Sequence, residues 1–179
     1  MRKRDINSNG YIFLYSTVLV VVVAVLLSAA AMWLQPYQQR NVENEKRAMI
    51  LTAAGSNDDG KIEFFDGELP VYIVNDSITV LPMRGNGLWG PIWGYLAISA
   101  DGQSVMGAVF DHKSETPGLG GEITTVKFQS QFKGKQFFVE GTMIPMDVDA
   151  ISGATKTSNG VKDMIDNTMQ KYREYFEKR

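Results

Sequence analysis

Asp149-Ala150-Ile151-Ser152-Gly153-Ala154-Thr155 is a run of small and turn-forming residues that ends in a hydroxyl. Thr157, Ser158 and Asn159 follow it, all residue types that cap helix N-termini. Beyond them Val161, Met164, Ile165, Thr168, Met169, Tyr172 and Phe176 recur at helical spacing, with charges on the opposite face. The spacing predicts an amphipathic helix from Thr157 to about Glu177 that closes a domain on its apolar stripe. A helix start presents unpaired N–H groups and the positive end of the helix dipole, and phosphate is stabilised there. Gly153 and Ala154 carry almost no side chain, so a phosphate could approach the backbone closely, and Thr155 would present its hydroxyl. Residue types alone leave a second reading open, in which the same pattern is an ordinary helix cap.

Working back toward the N-terminus, Met143 to Val148 and Lys135 to Val139 read as short strands, and Glu122 to Phe132 as a helix. Before that helix lies His112-Lys113-Ser114-Glu115-Thr116-Pro117-Gly118-Leu119-Gly120-Gly121, which one proline and three glycines force into an irregular loop. It reads either as a plain connection or as a loop whose backbone lies close to a planar ligand, with Leu119 offering apolar contact. Val105 to Phe110, Ile92 to Ile98, Ile78 to Leu81, Val71 to Val74 and Ile62 to Phe65 read as strands. Asn75-Asp76-Ser77 suits a hairpin turn, and Asp101-Gly102 another. Arg84-Gly85-Asn86-Gly87-Leu88-Trp89-Gly90-Pro91 is a glycine-rich loop. Trp93 or Tyr95 is expected in a core, whereas Trp89 stands on that loop, where an aromatic is less needed for packing.

Upstream the character changes. Tyr11 to Leu34 holds no charged residue and Val18 to Leu27 is all apolar. As a helix this run reaches about 36 Å, enough to span a bilayer and longer than the core of a cleaved signal peptide. Tyr11, Tyr15 and Trp33 stand near its ends, as interfacial aromatics do. Arg2, Lys3 and Arg4 argue for a cytoplasmic N-terminus, although Arg40, Lys46 and Arg47 beyond the span blur the count. Gln35 to Ala54 is rich in helix formers and ends at Gly55, which predicts a juxtamembrane helix, either a partner contact or a solvated spacer.

Composition narrows the chemistry. A net charge of −2 gives no reason to expect a nucleic-acid partner. The absence of cysteine removes disulfides, cysteine zinc sites and thiolate-ligated iron–sulfur clusters, and one histidine gives no basis for a histidine metal cluster. There is no Ser/His/Asp triad, no P-loop and no dinucleotide fingerprint, so hydride transfer from NADH is not expected of this chain. His112 and Asp111 receive no catalytic role.

Asp149-x-x-Ser152-Gly153-Ala154-Thr155 resembles the flavinylation motif of FMN-binding domains, in which a flavin transferase moves FMN from FAD onto the last threonine as a phosphoester. Glu115-Thr116-Pro117-Gly118-Leu119-Gly120 is similar to the loop that holds the isoalloxazine ring in that family. Gly87-Leu88-Trp89-Gly90 resembles a loop on the flavin side of the C subunits of sodium-translocating NADH:quinone reductases. The three motifs and the anchor stand in the family's order. The resemblance implies an α+β fold: a single N-terminal transmembrane helix, then an FMN-binding domain with a mostly antiparallel sheet and flanking helices. Its implied divisions are a cytoplasmic tail (1–10), a transmembrane helix (11–34), a juxtamembrane helix and linker (35–60) and the FMN-binding domain (61–179).

By the same resemblance Thr155 carries covalent FMN, Ser152, Gly153 and Ala154 shape the phosphate site, and Asp149 is part of what the transferase recognises. Glu115, Thr116, Pro117, Gly118, Leu119 and Gly120, with Trp89, hold the ring. No catalytic residue and no metal ligand is implied. The implied role is a one-electron carrier in the cell inner membrane, with its FMN domain on the periplasmic side. Other subunits of the redox complex would be its partners, an iron–sulfur centre supplying electrons and the FMN of a neighbouring subunit receiving them, coupled to sodium export and quinone reduction. Two rival readings are the G subunit of an Rnf-type electron transport complex and a membrane-anchored assembly or binding protein without flavin. The segments between Gly55 and Val71 and between Val139 and Asp149 look short against the family.

Overall fold

A computed structural model describes residues 9–56, 60–136, 138–139, 142–144 and 146–177. The chain divides into two compact units, Met1–Glu45 and Lys46–Arg179. Helix α1 (Asn9–Ala54) supplies the described part of the first. Its most apolar window has a mean hydropathy of 2.7, and by length and composition it can cross a bilayer. Thr17 donates its hydroxyl back to the Phe13 carbonyl, 2.9 Å away, so this polar group within the apolar run is satisfied inside the helix. Pro36 lies inside α1.

The second unit is built on one antiparallel sheet. Strands β1 (Ile62–Phe65), β2 (Val71–Val74), β3 (Ile78–Asn86), β4 (Pro91–Ile98) and β5 (Val105–His112) lie side by side in chain order. The β2–β3 hairpin turns at Asn75 and Asp76, both at positive φ (51° and 58°), the conformation that matches the twist of paired strands. Asn and Asp tolerate it better than other side-chain-bearing residues. Strand β3 runs to Asn86, further than its residue types suggest, because Arg84, Gly85 and Asn86 pair with Trp93, Ile92 and Pro91.

Alternation gives the sheet two apolar faces. On one, Leu81, Met83, Ile92, Leu96, Ile98 and Phe110 form the main core with Ile123, Phe128, Phe132, Val161, Met164, Ile165, Met169 and Tyr172. On the other, Tyr72, Val74, Val80 and Ala97 pack with Ile50, Leu51, Ala53 and Ala54, the end of α1. Lys46 lies over the rings of Tyr72 and Phe64, 5.0 and 5.6 Å from their centroids. An antiparallel sheet covered on both faces matches the α+β expectation.

The helix expected over Glu122–Phe132 is instead three short pieces: a 3-10 turn (Gly120–Thr124), helix α2 (Val126–Gln129) and a second 3-10 turn (Ser130–Phe132). Thr125 is extended (φ −78°, ψ 146°) and interrupts the run. The β-branched series Ile123-Thr124-Thr125-Val126 is a poor helix former, and the hydroxyls of Thr124 and Thr125 bond back to the carbonyls of Gly121 and Glu122. Phe110, Phe128 and Phe132 still meet edge to face, with centroids 5.0–6.1 Å apart, and pin these pieces to β5.

Strands β6 (Phe138–Val139) and β7 (Thr142–Met143) pair antiparallel in a small separate sheet. The strands expected over Lys135–Val139 and Met143–Val148 fall partly on residues 137 and 145, which lie outside the described residues. Met146–Val148 carries no regular structure.

Helix α3 (Thr155–Glu177) closes the main core and starts two residues earlier than expected. Val161, Met164, Ile165, Thr168, Met169 and Tyr172 are buried along one stripe. At Gly160 the helix comes so close to β3 that a Cβ would run into the Asn86 carbonyl oxygen. At Gly85 a Cβ would lie 2.8 Å from the Met164 Cβ. The Tyr172 hydroxyl donates to the Pro70 carbonyl at 2.6 Å, and burial, followed by the neighbouring Tyr72 and Tyr175, pushes this phenol up to about 12.

Gly160→Ala is expected to lower stability by about 1–3 kcal/mol, the cost of overpacking against backbone that cannot move aside. Urea titration of the full chain in detergent measures it. Tyr172→Phe is expected to cost about 0.5–1.5 kcal/mol at neutral pH through the lost hydrogen bond. The folded state raises this pKa, so the tyrosine's contribution is intact below its ordinary value of 10.0 and is lost as the pH climbs toward about 12. The difference between wild type and Tyr172→Phe should therefore narrow over that range in pH-resolved denaturation.

Candidate functional site

The sheet register brings two loops to the same end. β3 and β4 are joined at the tip Gly87-Leu88-Trp89-Gly90, closed by a 2.8 Å bond from the Gly87 N–H to the Gly90 carbonyl. β5 ends at the same level, because His112 is the partner of Ile92. The chain then enters the loop that holds Glu115 to Gly120. Gly160 sits against Asn86, so the start of α3 lies beside the tip as well. The three segments expected to form one site therefore converge.

Glu115 is the point of contact. It is only 4% exposed. Its Oε1 accepts the Trp89 N–H at 2.7 Å, and its Oε2 accepts the Thr157 hydroxyl at 2.6 Å. Its own N–H donates to His112 Nδ1 at 3.2 Å. Glycines give the carboxylate room. A Cβ on Gly87 would stand 2.5 Å from Oε1, and one on Gly120 would stand 2.7 Å from the Thr157 hydroxyl oxygen. The rest of the loop turns away: the Leu119 and Gly121 N–H groups both return to the Thr116 carbonyl, at 3.1 and 2.9 Å.

The Asp149–Thr155 segment is held by its backbone. Gln131 Oε1 accepts the Asp149 N–H at 2.8 Å, and Gln131 Nε2 donates to the Asp149 carbonyl at 3.4 Å. The Asp149 side chain is left exposed. Ser158 reaches back from α3: its Oγ accepts the Ile151 N–H at 3.0 Å and donates to the Ala154 carbonyl at 3.1 Å. The Ala154 N–H closes a turn on the Ile151 carbonyl at 3.0 Å. Gly153 needs its glycine, because φ is +75° and a Cβ would stand 3.0 Å from Leu119 Cδ2.

Thr155 is the first residue of α3 and is exposed, between buried Ala154 and buried Thr157. The Ser158 N–H makes the first i−4 bond of the helix, to Ala154, so the N–H groups of Thr155, Lys156 and Thr157 belong to the turn that has no intrahelical acceptors. Ser152, Thr116, Pro117 and Gly118 are exposed, and Gly120 is buried. Trp89 is 66% exposed and Leu119 42%, two apolar side chains presented at the surface. An open cleft of ≈ 610 Å³ runs along the other flank, lined in part by Gly118, Glu122, Lys127, Asp149 and Ser152.

Thr157, Ser158 and Gln131 hold this arrangement together, yet their residue types mark only a cap and a polar helix position. The signal for Thr157 and Ser158 was present. The apolar stripe of α3, continued backward by three or four residues from Val161, falls on these two hydroxyls, so both had to be buried and bonded. For Gln131 there was none.

Residues 87–170 match a family model described as an FMN-binding domain. The C subunit of the Na(+)-translocating NADH-quinone reductase of Vibrio vulnificus (strain YJ016) is 37% identical to the chain, with 73% of this chain and 57% of that protein covered. Its counterpart in Chlamydia muridarum (strain MoPn / Nigg) is 32% identical, with 69% and 48% covered. The crystal structure of the counterpart from Parabacteroides distasonis ATCC 8503 has a TM-score of 0.70 and 30% identity, with 80% of this chain and 96% of that one covered. The chain spans about half the length of the curated relatives it matches.

Ser158→Ala leaves the Ile151 N–H without its acceptor. It is expected to cost about 1–3 kcal/mol and to speed exchange of the Ile151 amide. Thermal denaturation and hydrogen exchange on the full chain read the two effects.

Proposed function

The chain belongs to the family of C subunits of the sodium-translocating NADH-quinone reductases, and from that premise we propose that it is a membrane-anchored one-electron carrier with FMN esterified to Thr155. The observation that carries the reading is the position of Thr155: an exposed hydroxyl at the first residue of α3, preceded by residues too small to obstruct a phosphate. The residues present fit the group. The first turn of α3 offers N–H donors and a favourable dipole to a phosphate. Exposed Trp89 and Leu119 offer apolar surface to a planar ring.

In this reading Gly153 and Ala154, with Ser152, shape the approach to Thr155. Asp149, exposed at the start of the motif, faces the transferase that performs the attachment. A threonine hydroxyl is a weak nucleophile, and among the residues described around Thr155 none is a base positioned to activate it, so activation comes from the transferase. Leu119, Trp89 and the 115–120 loop place and shield the ring. The flavin supplies the one-electron chemistry, and the protein supplies position and electrostatics.

We place α1 in the cell inner membrane with the N-terminus cytoplasmic and the sheet unit on the periplasmic side, on the strength of Arg2, Lys3 and Arg4. The partners are the other subunits of the membrane redox complex, which bring the electrons and couple them to sodium export. The relatives described above are C subunits of the quinone reductase, which favours that complex over an Rnf-type one.

Intact-mass spectrometry under denaturing conditions tests the attachment, on the full chain prepared with and without a flavin transferase. One FMN-phosphoryl adduct is expected with the transferase, and none on Thr155→Ala. An unmodified wild-type chain in the presence of active transferase would reduce the motif to a helix cap and favour the scaffold reading.

A further inference from the structure

Residues 115–120 resemble a ring-holding loop, and the simplest expectation makes Glu115 a contact to the ring. The geometry is against it. Glu115 is 4% exposed, and each of its oxygens already accepts a short hydrogen bond, from the Trp89 N–H at 2.7 Å and the Thr157 hydroxyl at 2.6 Å. The walls around it are closed by Gly87 and Gly120, where even a methyl group would collide with the carboxylate or with Thr157. Such a side chain faces inward.

What it joins is more informative. Trp89 stands at the tip of the β3–β4 hairpin, Glu115 opens the loop after β5, and Thr157 lies two residues beyond Thr155 on α3. No two of these segments are neighbours in sequence. Both partners donate, so the arrangement uses the carboxylate as a double acceptor. Hydrogen bonds to a charged group are about twice as strong as neutral ones, and breaking one partner leaves a buried charge half satisfied.

We propose that Glu115 is a positioning residue: its buried carboxylate ties the attachment helix, through Thr157, to the hairpin tip at Trp89, and so sets how far the ring-holding loops stand from Thr155. The proposal rests on the reading of Thr155 as the flavin attachment residue, but the tie itself exists in the unmodified chain. Thr157 is its second member, a buried hydroxyl whose role is to register α3 against the loops. A second consequence follows from charge. A fixed negative charge beneath the loops disfavours adding an electron to a ring held there, because the reduced group gains negative charge. Glu115 therefore holds the flavin potential down as well as holding the loops together.

Three variants separate these effects. In Glu115→Gln the amide oxygen can keep the Trp89 N–H while the amide nitrogen donates to the Thr157 hydroxyl, whose own hydrogen turns elsewhere. Charge is lost and the connections survive in weaker form. Thr157→Val keeps the charge and removes one connection. Thr157→Ser keeps both.

On the full, unflavinylated chain in detergent, hydrogen exchange of a peptide containing Trp89 is expected to speed up about tenfold or more in Thr157→Val, to rise less in Glu115→Gln, and to stay at the wild-type rate in Thr157→Ser. On the flavinylated chain, iodide quenching of flavin fluorescence should increase in Thr157→Val only. The potential should move positive in Glu115→Gln, about tenfold in the one-electron equilibrium, or about 59 mV.

Wild-type exchange at Trp89 in both Thr157→Val and Glu115→Gln, with circular dichroism unchanged, would overturn the proposal. So would an unchanged or more negative potential in Glu115→Gln. Should Thr157→Val fail to fold, Glu115→Gln against Thr157→Ser decides it. If the wild-type chain takes no flavin, the attachment reading fails, and the exchange measurements still judge the tie.

Discussion

Helix α3 must lie against β3 at backbone distance. Gly160 on the helix and Gly85 on the strand make that approach possible, and a side chain at Gly160 would meet the carbonyl of Asn86. This close seat sets the height of the helix on the sheet. It puts Thr157 within reach of Glu115 and Leu119 beside Gly153, and it leaves Thr155 at the rim rather than beneath a loop. The buried stripe from Val161 to Tyr172 supplies the apolar drive for docking, but a stripe alone permits a range of heights. Steric contact at two glycines and one short hydrogen bond select among them.

The two faces of the sheet divide the labour. One face carries α3, α2 and the aromatic cluster of Phe110, Phe128 and Phe132, and so supports the candidate site. The other packs the end of α1, with Gly107 admitting the Ala53 carbonyl at a distance no Cβ would allow. Residues that position Thr155 and residues that join the sheet to the end of α1 are thus drawn from opposite sides of the same strands.

Much of this was legible in the residues. The five strands were marked by short apolar runs between turn residues, and the Asn75-Asp76 turn by residues that accept positive φ. The last helix was marked by its stripe. The three motif segments were visible as small-residue breaks, though nothing in their spacing said that they meet; the strand register, pairing Ile92 with His112, brings two of them together, and the seat of Gly160 against Asn86 brings the third. The Glu122–Phe132 segment misled because its apolar spacing is helical while its β-branched run is not, and the extended Thr125 resolved the conflict in favour of the latter. Glu115 was read by the company it keeps in a motif, and its burial was not part of that reading. Side-chain orientation within an irregular loop has no periodic signature, so no inspection of the chain alone would have found it.

The order of the strands carries a consequence for biosynthesis. Five strands that pair with their sequence neighbours form a meander, whose contacts are more local than those of a sheet built with crossovers. Chains emerge from the ribosome N-terminus first, so α1 and then β1 to β5 are available before α3 exists. The hairpin tip and the loop after β5 are therefore made long before their third partner. Thr155 enters its setting only when α3 docks, after the strands it packs on. A modifying enzyme that recognises that setting, rather than a bare peptide, would act on molecules in which α3 has docked and pass over those in which it has not, so that loading with cofactor doubles as a record of that docking.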